Sequence, residues 1–520
     1  MFLSRTDSKI VNFIRKYCNV PSYAKKNRNN DNTFKNKSTN EVVISVLQEM
    51  KIQKCEDWNK VKQLIFDQNR RGKISETGID GLIMNSILKL NRVDLAKDYL
   101  NYLEASHTKP NLATVGKYLK LLYQNHSLEK LSKSDENEII KLCKEITDNN
   151  PVLESRTLEN MALALSLTKD WKQCLEIIQE IKRTAAVAGT VYDAVATAAF
   201  KHKEEPVAWN LLNQAVLQQQ TCLNTAFLSY LETIKKQRKL ENKTKSLEKL
   251  FLFFRDNEIV CNEDVINEIQ SSIKMGKQVT MNFKGVCSNC QLKLEKLELS
   301  DSEFLILKEA FFKNVIVGKD IFIKSNPNEM KKFQNFLSNM EQYDVILDGL
   351  NIAYSSGVNK GPYVFSRLLH AVVKHFVQKN KSVLILGRSH MNKWPRMYWS
   401  YIKENASVFL TENISEDDPY MLYFALQSGK NTIIVTRDLM RGHKFLLKDR
   451  TNKMLFNRWL SQRQYMLSYV NDKEKCFFRV PPEFYHVAQK NGDVWHIPYN
   501  VPQENEEMQS YHKTWLCINL

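Results

Sequence analysis

Between residues 41 and 275 apolar side chains recur at intervals of three and four, and Gly and Pro are sparse. That spacing predicts one amphipathic helix after another. Three segments share a template: VDLAKDYLNYLE (93–104), WKQCLEIIQEIK (171–182) and PVAWNLLNQAVL (206–217). Ala96 and Cys174 occupy equivalent places 78 residues apart, and Cys174 and Ala208 stand 34 apart. A period of about 35 predicts stacked helical hairpins, with the longer interval read as two units plus an insertion near the polar stretch SLEKLSKSDENE (127–138). Each hairpin buries its apolar face against its neighbours and leaves one long face open. An irregular helical bundle fits the same periodicity.

The texture changes near residue 280. Residues 281–300 carry CSNC in a Lys-rich, strand-like context, followed by helical segments at 301–313 and 327–341. Short apolar runs then alternate with helical stretches. The runs are YDVILDG (343–349), KSVLILG (381–387), ASVFLTE (406–412) and NTIIVTRD (431–438), and the helical stretches are 362–379, 392–404 and 418–428. This β-α-β rhythm predicts a parallel sheet. The expected fold class is therefore multi-domain: an α-helical repeat solenoid joined to an α/β parallel-sheet domain. No run of about 18 apolar residues is present, so the sequence predicts no membrane span.

The chain of 520 residues carries a formal charge of +17, which favours a polyanionic partner, nucleic acid before a membrane surface. Its ten cysteines are scattered except for one close pair, which excludes a secreted disulfide scaffold and leaves room for one metal site. Residues 1–40 hold nine Lys/Arg and two Asp, with basic residues spaced among apolar ones over 1–20. A mitochondrial presequence has that character; a disordered basic tail is the alternative.

Acids stand at or just past the carboxyl ends of three of the predicted strands. Asp348 closes YDVILD, Asp417 and Asp418 follow ASVFLTE and open the next helix, and Asp438 closes NTIIVTRD. Ligands of open α/β sheets collect along that edge. Carboxylates that converge there repel one another and call for a cation, and an all-oxygen set suits Mg²⁺ or Mn²⁺. One or two such ions activating water give phosphodiester hydrolysis. Taken singly, any of these acids fits a turn or a helix cap just as well.

The strings DGLNIAY (348–354), SEDDPYMLYFALQSG (415–429) and TRDLMRGHKF (436–445), in this order, resemble the motifs of the NYN metallonuclease domain of protein-only RNase P. The repeats resemble degenerate pentatricopeptide repeats. The resemblance implies that Asp348, Asp417, Asp418 and Asp438 are the catalytic, magnesium-binding acids, with Asn351 close by. Arg388 and His390, beside the same edge, and Arg437, Arg441 and His443, around Asp438, are candidate contacts to RNA phosphate, ordinary surface charge being the alternative. It further implies an endonuclease that removes the 5′ leader of precursor tRNA in the mitochondrial matrix. The animal members join a tRNA methyltransferase and a short-chain dehydrogenase-like protein, whereas plant and protist members act singly. A non-catalytic mitochondrial RNA-binding repeat protein and a nuclease of broader RNA range are the rival readings.

Cys287 and Cys290 form a CxxC, which supplies two of zinc's four ligands. On spacing alone it stands equally for half a site or for two unrelated thiols. The family resemblance implies a structural Zn²⁺ completed by His496 in VWHIP and Cys517 in TWLC; His486 and Cys476 rank lower. The expected domains are thus a presequence at 1–40, a pentatricopeptide-like repeat domain at 41–275, a zinc-binding bridging module at 276–335 with 485–520, and the NYN metallonuclease domain at 336–484.

Overall fold

The structure, a computed structural model, describes residues 43–45, 47–48, 55–68, 76–126, 131–220, 223–313, 327–411, 418–438, 447, 449–501 and 514–520. The stretch read as a presequence lies outside them. The chain forms two compact units, residues 1–230 and 231–520.

In the first unit the helices pair into hairpins. Glu76–Leu90, Leu112–His126, Ser155–Leu165 and Gly189–Lys201 are first helices, each packed on the next. Val93–Ala105, Lys133–Asn149, Gln173–Thr184 and Glu205–Leu217 are their partners. Ala96, Cys174 and Ala208 are all buried near the starts of their second helices. Polar links between hairpins carry the same period. Lys172 donates to Glu204 at 2.7 Å and Lys182 to Gln214 at 2.6 Å, both across 32 residues. The amide of Lys169 donates to Glu136 and that of Ala226 to Asp193, both at 2.8 Å across 33 residues.

One expectation changes. The polar stretch read as an insertion includes the start of a full second helix, Lys133–Asn149. Ser132 caps it by accepting from the Asp135 amide at 3.1 Å, and Asp135 and Glu136 sit in its first turn, where the helix dipole favours acids. Its buried positions begin only at Ile139, so the apolar period starts late.

The second unit opens with the helices Leu240–Asp256 and Glu263–Ile273 and holds two sheets. The strands are β1 (Cys261–Asn262), β2 (Lys277–Val279), β3 (Val345–Asp348), β4 (Val383–Arg388), β5 (Ser407–Thr411), β6 (Ile433–Val435), β7 (Gln464–Val470), β8 (Cys476–Arg479), β9 (Gln489–Asn491), β10 (Val494–Asn500) and β11 (Trp515–Asn519). The larger sheet runs β5-β4-β3-β6-β7-β8, parallel from β5 through β7 with β8 antiparallel at one edge. Its strand residues alternate between two cores. Ile346, Leu384, Leu386, Phe409 and Ile434 face one that includes Leu307, Phe311, Tyr420, Phe424 and Trp459. Val345, Leu347, Val383, Ile385 and Val435 face another that includes Phe365, Leu369, Val372 and Ile402. Helices therefore cover both faces, as a parallel sheet requires.

The smaller sheet runs β1-β10-β11-β2, with β9 on β10. The periodicity assigns no elements beyond 438, and the structure puts five strands between 464 and 519. They are short, and most carry no strict alternation of buried and exposed residues.

Asp193 supplies a test of the repeat stack. It is 9% exposed, accepts from the first turn of the next hairpin, and burial pushes its carboxyl from 3.8 up to about 6. A raised acid pKa means that the folded form holds the proton more tightly, so stability is lost as pH rises from about 4 through 6. The size is roughly 3 kcal/mol. Asp193→Asn is expected to abolish that slope in denaturant titrations of the full chain across this range; an unchanged slope contradicts the assignment.

Candidate active site and metal centre

The chain enters the larger sheet at β3, adds β4 and β5 on one side, then returns to place β6 on the other. The strand order therefore reverses at the β3–β6 pair, and such switch points open a crevice at the carboxyl edge. Leu347 pairs with Val435, so Asp348 and Thr436 emerge side by side. The Thr436 hydroxyl donates to Asp348 Oδ2 at 2.9 Å and accepts from the Asp438 amide at 3.1 Å. One hydroxyl thus links the Asp348 carboxylate to the backbone of Asp438.

Asp348 also caps the helix Gly349–Ala353, its Oδ1 accepting from the Asn351 amide at 3.0 Å. Each carboxylate oxygen is thus oriented by at least one donor. Gly349 permits the turn: a Cβ there would stand 2.7 Å from the Leu386 carbonyl oxygen. Asn351 is oriented as well, since its Oδ1 accepts from the Arg437 amide at 3.0 Å. Asn351 thus ties the turn after β3 to the turn after β6.

Asp418 is the first residue of the helix Asp418–Ser428, which packs against β3 and follows β5 in the chain, so its backbone starts at the same carboxyl edge. Asp417, Arg441 and His443 lie outside the described residues, as does the side chain of Asp418. Arg388 ends β4, His390 lies in the turn that follows, and both are half-buried at that edge.

Arg437 has other work. Its guanidinium donates to the Leu467 carbonyl at 2.8 and 3.1 Å, to the Ser468 carbonyl at 3.3 Å and to the Ser355 carbonyl at 3.3 Å. It binds the end of β6 to β7. Two residues that the pattern did not single out matter here. Thr436 reads as an ordinary strand hydroxyl, its only signal being its place two residues before an acid. Asn289 lies inside the CxxC.

Cys287, Cys290, His496 and Cys517 bring their ligand atoms within 4.8 Å of one another. His496 and Cys517 face each other across the β10–β11 ladder. Cys287 and Cys290 come from a tight turn in which the Gln291 amide donates to the Cys287 carbonyl at 3.2 Å. The turn needs Gly285, whose φ is +82° and where a Cβ would stand 3.0 Å from the Phe484 side chain. Cys290 Sγ lies 3.2 Å from His496 Nε2. Asn289 aims two N–H groups at sulfur: its amide at Cys287, 3.4 Å away, and its side chain at Cys517, 3.5 Å away.

Burial pushes the His496 imidazole down to about 4, so it is neutral and ready to ligate at pH 7. Its Nδ1 is buried without a partner among the described residues. Burial, with Cys287 and Cys290 nearby, pushes the Cys517 thiol up to about 12, partly offset by the Asn289 hydrogen bond. Three neighbouring thiols shed their protons together only if a cation takes up the charge. Three sulfurs and one imidazole nitrogen fit a tetrahedral Zn²⁺ with no open position.

The profile of the protein-only RNase P family matches residues 281–517, a stretch that contains all four of these ligands and both linked acids. Residues 281–517, just under half of the chain, thus match the protein-only RNase P family. The match supports a ribonuclease, and the family's role is processing of the 5′ ends of tRNA. Over 486 residues it is 28% identical to the mitochondrial ribonuclease P catalytic subunit of Rattus norvegicus, spanning 89% of this chain and 78% of the relative. It is 27% identical to the Mus musculus protein of that name, over the same shares. The likeness to proteinaceous RNase P 3 of Arabidopsis thaliana is 26% over 46% of this chain and 42% of that one. Among solved structures, nuclear proteinaceous RNase P 2 of A. thaliana superposes with a TM-score of 0.58 at 16% identity, over 86% of this chain and all of the other, which speaks to the fold.

The role of Arg437 in this protein-only RNase P fold is testable. Arg437→Met is expected to cost about 1–3 kcal/mol of stability, read in denaturant unfolding. Unchanged stability with a selective loss of RNA affinity would show that the guanidinium serves the substrate instead.

Proposed function

We propose that the chain removes the 5′ leader of mitochondrial precursor tRNA by hydrolysis, leaving a 5′-phosphate on the tRNA and a 3′-OH on the leader. The observation that carries this reading is the pair of acids, Asp348 and Asp438, held on adjacent strand ends by the Thr436 hydroxyl at the switch point of a parallel sheet.

In this reading Asp348, Asp417, Asp418 and Asp438 hold one or two Mg²⁺ or Mn²⁺ ions through oxygen alone. When bound there, the metal supplies charge that offsets the charge developing on the phosphate and activates water for in-line attack. Asp348 is kept oriented by Thr436 and the Asn351 amide, so little reorganisation precedes substrate binding. Arg388 and His390 lie where cationic or donor groups meet phosphate oxygens along the rim.

Zn²⁺ bound by Cys287, Cys290, His496 and Cys517 serves a structural purpose, fastening the CxxC turn to β10 and β11. The names of the rat and mouse relatives and the basic, acid-poor residues 1–40 support a mitochondrial location, and the matrix is where such a substrate is made. No helix among the described residues is long and apolar enough to cross a membrane. A tRNA methyltransferase and a short-chain dehydrogenase-like protein are the proposed partners, through the family resemblance.

Two measurements check this reading. Asp438→Asn and Asp348→Asn are each expected to slow Mg²⁺-dependent cleavage of a labelled mitochondrial precursor tRNA by about 100-fold or more, with the fold retained. Cleavage at the original rate, or cleavage that persists in EDTA, contradicts it. Separately, Cys290→Ser is expected to release close to one zinc per chain, read by elemental analysis, and to lower the melting temperature. Equal zinc content in variant and parent would remove the zinc assignment and leave the carboxylate reading standing.

A further inference from the structure

From Gly349 through Lys403 the sequence runs 55 residues without a single Asp or Glu, while carrying nine Lys and Arg. In the fold this stretch is one contiguous part of the second unit: the turn after β3, the helix Pro362–Val377, β4, the turn Ser389–Lys393 and the helix Arg396–Asn405. β3 and β4 are parallel, so the helices that follow them begin at the rim that carries Asp348.

Two tyrosines stand at those helix starts. Tyr363 is the second residue of Pro362–Val377 and Tyr398 the third of Arg396–Asn405. Their rings meet edge to face at 5.4 Å, and Tyr398 Oη donates to Tyr363 Oη at 3.1 Å. The pair has a floor, because the His370 ring lies 5.2 Å from Tyr398 and 4.7 Å from Tyr401. Yet Tyr363 is 54% exposed, and it shares the rim with Val358 at 70% and Met397 at 64%. Lys360, Lys393 and Arg396 are exposed around them, and none makes an ion pair among the described residues. The turn that leads to Tyr363 is fastened to the acids' strand end, since Arg437 donates to the Ser355 carbonyl at 3.3 Å.

We propose that Tyr363 and Tyr398, ringed by Lys360, Lys393 and Arg396, form a stacking platform for the unpaired 5′ leader of the substrate. This rests on the cleavage reading above and adds the subsite. Exposed aromatic faces beside unpaired cations bind single-stranded nucleic acid: the rings stack on bases while the cations track phosphates. Bases of a double-stranded acceptor stem already have both faces covered. Next to the scissile phosphate the leader offers free base faces, and the 55 residues that build the rim contribute cations and no carboxylate of their own. The carboxylate packed below the pair, Glu474, lies 3.9 Å from His370 and 3.6 Å from Lys374, and the lysine offsets its charge. A protein partner would meet the apolar residues but gives no reason for a rim of cations beside exposed rings.

The experiment compares two precursor tRNAs, with leaders of one and six nucleotides, in parent, Tyr363→Ala/Tyr398→Ala and Tyr363→Phe/Tyr398→Phe chains. The alanine pair is expected to raise KM for the long leader about 5- to 100-fold, with kcat held within a few-fold. The rise for the short leader should be much smaller, and the phenylalanine pair should recover most of the loss. A 2-aminopurine placed in the long leader reports stacking without cleavage: with Mg²⁺ omitted, its fluorescence should be quenched by the parent and not by the alanine pair. An equal rise on both leaders, a dependence on the 3′ tail in place of the leader, or unaltered quenching would overturn the platform. So would loss of binding to a protein partner with RNA binding intact. Failure of the cleavage reading shows itself differently, as a parent that cuts neither RNA whatever its fluorescence reports.

Discussion

Everything at the carboxyl rim depends on one pairing, that of β3 with β6 at the point where the strand order reverses. It sets Leu347 against Val435 and so delivers Asp348 and Thr436 to the same height, with Asp438 two residues beyond. The Thr436 hydroxyl then joins the Asp348 carboxylate to the Asp438 backbone through both of its hydrogen-bonding roles. Neither strand on its own makes a site. A slip of one residue would swap the face each β3 side chain enters and carry Asp348 out of line with Thr436, because neighbours along β3 alternate between the two buried faces. The cores on either side of the sheet therefore hold the register on which the chemistry relies.

The second constraint is covalent distance. The CxxC lies 206 or more residues before the other two ligands of the cluster, yet β10 and β11 place His496 opposite Cys517, and β2 lies against β11 just before the CxxC turn. The sheet brings the ligands together and the ligands close the sheet. Hydrophobic burial is modest there, with Val279, Met281, Leu294, Phe484 and Trp515 as the principal core. A bound cation is the natural supplement to a small core of this size.

How much of this could be read from the sequence follows from how local each signal is. Helices announced themselves by period, and the parallel strands by apolar runs ending in acids. Cys287 and Cys290 were legible because they are three residues apart; their link to His496 and Cys517 came from family resemblance, since no spacing encodes a cross-strand pair. The helix at 133–149 was obscured because its first turn and a half are solvated. Arg437 illustrates the limit of reading charge: beside an acid it was a candidate phosphate contact, and only the fold reveals that its planar fork also meets backbone carbonyls of a strand thirty residues later. Thr436 went unnoticed because a hydroxyl in a strand carries no signal until its neighbours across the sheet are known. For the candidate site, then, Asp348, Asp438 and Asn351 stood out in the sequence, and Thr436, which links the two strand ends, did not.

The central claim is that carboxylates from separate strands share a hard divalent cation at this rim. Anomalous scattering from crystals of the full chain soaked in Mn²⁺ tests it most directly. The account predicts a manganese peak about 2.1–2.2 Å from carboxylate oxygens of both Asp348 and Asp438. Manganese bound elsewhere, with these two side chains turned apart and the rim empty at millimolar ion, would contradict it.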